Sequence, residues 1–305
     1  MRPATAIALS CLATLLPPNH PLWAQQLAPF EELSLEIKAS PASILPMEAV
    51  RLHIRLTNPT NGPAAGHACL APAEGMLTIH VAAPGEPFRK IHPSSHEPIV
   101  VLIPGKGELP PGFEATHLTY LWWGETDGER RREFFPVPGL YSIKAALANF
   151  DGKAIVESNA VTITVTEPGP PDSGAWQSLR EQPKEGAPFV FALSRRWEDP
   201  GEAKLKDLIE RFPKSTYATY ARYALGRRYR AIAKDSSVAW PLLERTLSDK
   251  DFPFRDQVLY DLLADYLKAG QFTWARRHLD TLKADYPDTD WPRDAEALMA
   301  EAERR

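Results

Sequence analysis

The residues best equipped for chemistry are histidines and a cysteine in the first half of the chain. His92-x3-His96, His67-x-Cys69 and His117 form a set of nitrogen and sulfur donors that zinc or copper would accept if the loops carrying them converged. No carboxylate keeps a fixed spacing to them, and histidines scattered through proline-rich loops are ordinarily solvated, so no metal is assigned. The sequence has no glycine-rich phosphate loop, nucleophile elbow, His-Glu-x-x-His helix or paired-cysteine metal motif, so no catalytic residue and no cofactor is predicted. Trp122-Trp123 on a strand would point one ring to each face, one into the core and one outward. An outward Trp can stack on a sugar ring; the alternative is a Trp packed beneath a loop. Residues 124–133, with Arg130-Arg131-Arg132 among acidic neighbours, read as a solvated hairpin tip.

The frame that must position these side chains follows from apolar periodicity. Leu33, Leu35 and Ile37 alternate with Ser34, Glu36 and Lys38, and Val50, Leu52, Ile54 and Leu56 alternate with Arg51, His53 and Arg55. Each segment therefore turns one apolar face inward as a strand. Further strands are predicted over 77–82, 99–103, 117–123, 141–148 and 161–165. Short strands broken by Pro and Gly, with no helix-period segment between them, point to an antiparallel β-sandwich over 27–167. Of the 30 prolines, 22 lie at or before Pro171, so the halves obey different rules. Residues 167–174 are linker-like, and 168–201 are read as linker and irregular segment. From Glu202 onward Leu205, Leu208, Ile209 and Phe212, then Ala221, Ala224, Leu225, Tyr229 and Ile232, fall at helical spacing, which makes 202–305 helical. Leu205-x2-Leu208-x3-Phe212-Pro213 recurs as Leu279-x2-Leu282-x3-Tyr286-Pro287, 74 residues on, and Phe252-Pro253 lies 34 residues before the last copy.

Charge and composition narrow the partner class. Lys plus Arg number 35 against 39 Asp plus Glu, a net charge of −4, which lacks the basic surplus that binds a phosphate backbone. Nucleic acid is not an expected partner. Met1-Arg2, the apolar run 4–16, the prolines at 17, 18 and 21 and the small Ala24 read as a signal peptide over 1–24, with cleavage near Ala24 and release to the periplasm or the medium. The run is too short for a membrane span. The rival is cleavage before Cys11 with lipid attached there. Once the leader is removed Cys69 stands alone, so no internal disulfide forms and a buried thiol is expected.

Two resemblances add to this reading. Pro138-Gly139-Leu140-Tyr141-Ser142-Ile143 resembles the approach to the penultimate strand of immunoglobulin-like and fibronectin type III-like domains, which implies that the Tyr141 hydroxyl ties to upstream backbone. Residues 157–165 resemble the final strand of such domains, and Ile143 stands where antibody domains carry a cysteine. Leu259-x2-Leu262-Leu263-x2-Tyr266, Ala275-x3-Leu279 and Pro287, with Gly270-Gln271 at the turn, resemble a tetratricopeptide repeat. Leu225-Gly226-x2-Tyr229, Ala239-x3-Leu243 and Pro253 form a looser copy, in which Pro241 would delay the second helix to about Trp240. Phe212-Pro213-Lys214-Ser215 and Tyr286-Pro287-Asp288-Thr289 resemble connectors of bacterial cell-envelope repeat proteins, such as the Tol-Pal-associated protein and outer-membrane assembly lipoproteins, with Ser or Thr capping the next helix. The resemblance places Tyr220, Tyr223, Arg227 and Arg230 on a concave groove, extended by Tyr260 and Lys268. Such side chains anchor peptides and carboxylates. The expectation is an all-β plus all-α chain, an immunoglobulin-like sandwich followed by a tetratricopeptide-like solenoid. It would act as a non-catalytic cell-envelope adaptor for a protein or peptide. The alternative is a carbohydrate- or peptidoglycan-binding accessory acting through Trp122 or Trp123.

Overall fold

The computed structural model describes residues 27–72, 75–93, 107–126, 129–180, 200–287 and 289–304. The strands in chain order are β1 (Ser34–Ser40), β2 (Ser43–Ile44), β3 (Val50–Thr57), β4 (Ala64–Gly66), β5 (Leu77–Ala82), β6 (Arg89–Pro93), β7 (Gly107–Leu109), β8 (Glu114–Leu121), β9 (Trp123–Thr126), β10 (Glu129–Glu133), β11 (Gly139–Ala148), β12 (Ile155–Glu157) and β13 (Val161–Val165). A three-stranded antiparallel sheet has the order β1-β3-β8. A larger sheet runs β10-β9-β6-β5-β11-β13-β2 with β12 beside β11, and β4 pairs with β7. The period-two pattern of β3 sends Leu52, Ile54 and Leu56 into one core with Ile79, Ile143, Leu147 and Ile163 of the larger sheet, all of them sealed from solvent. Burying each such side chain contributes about 1.5–3 kcal/mol. The Tyr141 hydroxyl donates to the Val137 carbonyl at 3.0 Å, the tie implied at this corner. On the edge strand β1 the amide of Asn159 accepts from the Ile37 N–H at 2.9 Å and donates to the Ile37 carbonyl at 3.1 Å.

The helices are α1 (Asp172–Arg180), α2 (Pro200–Arg211), α3 (Thr216–Arg228), α4 (Ser236–Thr246), α5 (Arg255–Lys268), α6 (Phe272–Asp285) and α7 (Trp291–Glu303). Thus α1 lies within the stretch read as linker. Pro213, Pro253 and Pro287 each stand between two helices. Ser215 caps α3 by accepting from the Ala218 N–H at 3.1 Å, whereas Thr289 donates back to the Tyr286 carbonyl and leaves α7 without a side-chain cap. The small Gly226 lets α3 and α4 touch, since a Cβ there would lie 2.7 Å from Leu243. Gly270, at φ +71, makes the turn from α5 to α6 that a residue with a Cβ disfavours. Pro241 does not delay α4: Asp235 accepts from the Ser237 N–H and starts the helix at Ser236, leaving Pro241 inside it.

The architecture corrects the expected fold class. The protein is mixed α/β, strand-rich in its first half and helical in its second, and not an immunoglobulin-like sandwich followed by an independent tetratricopeptide-like solenoid. The larger sheet is itself mixed, because β2 lies parallel to β13, and the described strands do not close into a sandwich. The core of the helical half also takes in residues of the strand half. Ala49 and Trp122, from the strand half, lie in the same cluster as Leu205, Tyr220, Leu259 and Leu279. Strand periodicity could not show this, because Ala49 lies in the loop just before β3 and Trp122 sits in a bend between β8 and β9.

Candidate functional site

The halves meet at a tight turn between β2 and β3. The Glu48 N–H closes the turn on the Leu45 carbonyl, and Met47 adopts the left-handed region at φ 66, costly for a residue with a side chain. Three hydrogen bonds hold it there. Met47 N–H donates to the Phe135 carbonyl, Trp122 Nε1 donates to the Met47 carbonyl at 2.8 Å, and Ala49 N–H donates to Tyr220 Oη at 2.8 Å. Around the turn the rings interlock. Trp122 lies 5.2 Å from Tyr220 and from Phe254, and Tyr223 stacks on Phe254 at 4.7 Å and 10°. Aromatic pairs at these separations add to their burial.

An ionic contact flanks the rings. Arg51 and Tyr120 are register partners on β3 and β8 and so project from the same face of the small sheet. Both reach Asp256, which is fully buried: Arg51 at 2.7 Å and the Tyr120 hydroxyl at 2.9 Å. Asp256 stands in the first turn of α5, where the helix dipole favours an anion. Arg51 also donates to the Pro253 carbonyl and lies over the Tyr120 and Tyr286 rings. Burial and the Asp256 charge push the Tyr120 hydroxyl well above its ordinary pKa, so it stays a donor.

The row predicted from sequence divides at this junction. Tyr220 and Tyr223 are 1% and 0% exposed, beneath Trp122 and Phe254. Tyr223 Oη donates to Gln257 and accepts from Arg227, whose guanidinium lies over the same ring. Arg230 is held by two carboxylates, at 2.6 Å from Asp265 and 2.8 Å from Asp261. Burial raises the Asp261 carboxyl against the pull of Arg227 and Arg230. Tyr260 is half-buried with its ring 4.8 Å from Trp291, and the Lys268 side chain is 78% exposed, 3.9 Å from Asp265. Sequence reading brought Tyr220, Tyr223, Arg227 and Arg230 to one face. It put Trp122 on a different, competing surface, yet Trp122 packs on those tyrosines.

Trp122 is 3% exposed with its indole N–H engaged, so it offers no face to a sugar ring. The Trp123 side chain lies outside the described residues, as do the side chains of Arg130, Arg131 and Arg132, although residues 123–133 include the β9–β10 hairpin. The described members of the donor set do not converge. His67 is buried between Phe30 and Phe150, its Nε2 on the Ala148 carbonyl and its Nδ1 accepting from the Cys69 N–H, and His92 is exposed. His96, residues 99–103 and the leader with Cys11 and Ala24 lie outside the described residues. Among the described residues no group of three His, Cys, Asp or Glu could hold a metal ion. Cys69 is buried and in no disulfide among the described residues, and no helix among them is long and apolar enough to cross a membrane.

Sequence reasoning missed Glu48, Arg51, Tyr120 and Asp256. Arg51 had the signature of a solvent-facing residue, because it alternates with core positions in step with His53 and Arg55. Phe252, Phe254 and Tyr286 carried a usable signal: aromatic residues beside Pro253 and Pro287 recur with the repeat.

No protein-family model matches this chain, and no curated protein does. Among solved structures the chain is similar to an alkylpurine DNA glycosylase of Pseudomonas fluorescens bound to DNA, at 10% identity and a TM-score of 0.25, over 44% of this chain and 30% of that one. A β-glucosidase of Listeria innocua gives 12% identity and 0.26 over 45% and 16%. The CARDB domain of a Pyrococcus furiosus protein in complex with di-metal ions gives 12% and 0.24 over 47% and 97%. This chain thus spans less than a third of the length of the first two. Likenesses of this degree carry no argument about fold or activity.

Proposed function

We propose that the protein is a non-catalytic, exported adaptor that holds a protein or peptide partner in the cell envelope through the open end of the helical face, around Arg230, Tyr260 and Lys268. The observation that supports this is the division of the row: its tyrosine end is filled by the strand half, while its charged end still meets solvent. Arg227, Arg230 and Lys268 stand there with Asp261 and Asp265, near the Tyr260–Trp291 pair and Asp294, and of these three cations Lys268 is the one most open to solvent. A partner carboxylate would sit on Lys268, with an apolar neighbour on the edge of Tyr260. Export rests on the charged start, short apolar run and small residue of 1–24.

The test is a photo-crosslinking residue at position 269, the exposed neighbour of Lys268, activated in the intact native envelope, with the joined proteins identified by mass spectrometry. One defined partner is expected, lost in a Lys268→Glu variant whose melting is unchanged. Crosslinks that survive the variant, or none at all, would overturn the assignment.

A further inference from the structure

The turn at the tyrosine end carries a half-buried carboxylate that has no counter-ion among the described residues. Glu48 Oε2 accepts from the Leu45 N–H within its own turn. Among the described residues the other titratable groups facing it are Asp172 at the start of α1, Asp249 between α4 and α5, and Tyr217 and Tyr220 of α3. All are acids. Among the described residues Glu48 forms no ion pair, and Tyr217 Oη is buried without a hydrogen-bond partner. The same five-residue turn holds the left-handed Met47, and bonds from Ala49 to Tyr220 and from Trp122 to Met47 fasten it over the start of the tyrosine row.

We infer that residues 45–49 are a proton-sensitive latch: with Glu48 neutral the turn locks onto α3 at Tyr220, and with Glu48 ionised it lifts and frees the Tyr220 hydroxyl. Its use in partner capture, extending the open end of the row to Tyr220, rests on the adaptor reading above. The latch itself does not. Burial, assisted by Asp172 and Asp249, raises the Glu48 carboxyl from 4.5 to about 7, against the Leu45 N–H, which lowers it. Because the pKa is raised in the latched state, that state has its full advantage below pH 4.5. It loses the advantage progressively up to about pH 7 and is constant beyond. A span of that width changes the ratio of latched to lifted molecules by about 300-fold.

The test is amide hydrogen exchange on the full chain from pH 4.5 to 8, normalised to the intrinsic rate, read at Ala49 and in α3. Wild-type protection should fall by up to about 300-fold across this range and then level off. Glu48→Gln, which can still accept from Leu45 but cannot ionise, should hold its protection throughout. Asp249→Asn, which removes one of the opposing charges, should shrink the fall and end it at lower pH; it serves as the readout should Glu48→Gln not fold. A flat wild-type profile, or a variant that falls in step with wild type, overturns the latch. No partner enters the measurement, so failure of the adaptor reading leaves the result standing, and a flat profile leaves the adaptor reading intact.

Discussion

Tyr223 and Lys268 were assigned to one surface by the same resemblance, yet the first is sealed and the second is among the more exposed side chains of the helical half. The difference lies in what each meets. At the tyrosine end Trp122, Phe254 and the turn at Met47 supply aromatic area and hydrogen-bond partners from the same chain. At the lysine end Asp261 and Asp265 answer Arg230 and Lys268, and solvent completes the shell. A row of tyrosines and arginines is therefore a surface in want of an occupant, and the occupant of one end is covalently attached.

Substitutions at the two ends should separate accordingly. Trp122→Ala removes the ring shared by Tyr220, Tyr223 and Phe254 and should lower unfolding free energy by about 3–5 kcal/mol in urea titrations. A loss below about 1 kcal/mol would mean that the halves are stable apart. Asp256→Asn leaves Arg51 buried without its counter-charge and should cost about 2–3 kcal/mol. Within the strand half, away from the junction, Tyr141→Phe deletes one hydrogen bond to Val137 and should cost about 1 kcal/mol. Lys268→Ala should change stability by less than about 0.5 kcal/mol while still altering partner crosslinking. If Lys268→Ala destabilised as much as Asp256→Asn, the two ends would not differ in kind.

Much of the architecture was legible because regular elements announce themselves by period. Leu77–Ala82 and Val161–Val165 are strands at the predicted bounds, Val50–Thr57 extends the predicted run by one residue, and Gly226 brings two helices together as its smallness implied. The joint was not legible. Periodicity reports which face of one element is apolar, and Arg51 lies on the polar face of its strand; only the arrival of α5 with Asp256 makes that face an interface. Trp122 illustrates the same limit. Its burial was foreseeable from its size, but its neighbours come from a segment nearly a hundred residues later, which local sequence cannot reveal.

Asn159 has a bearing on how the chain lives at high concentration. The outer margin of β1 would otherwise present the Ile37 amide and carbonyl to any passing extended peptide, and the carboxamide of Asn159 answers both, as a neighbouring backbone would. The position is already taken by a partner too short to pass the pairing on. That side chain works as a stopper against stacking of one molecule on the next, the route by which exposed margins seed fibrous aggregates.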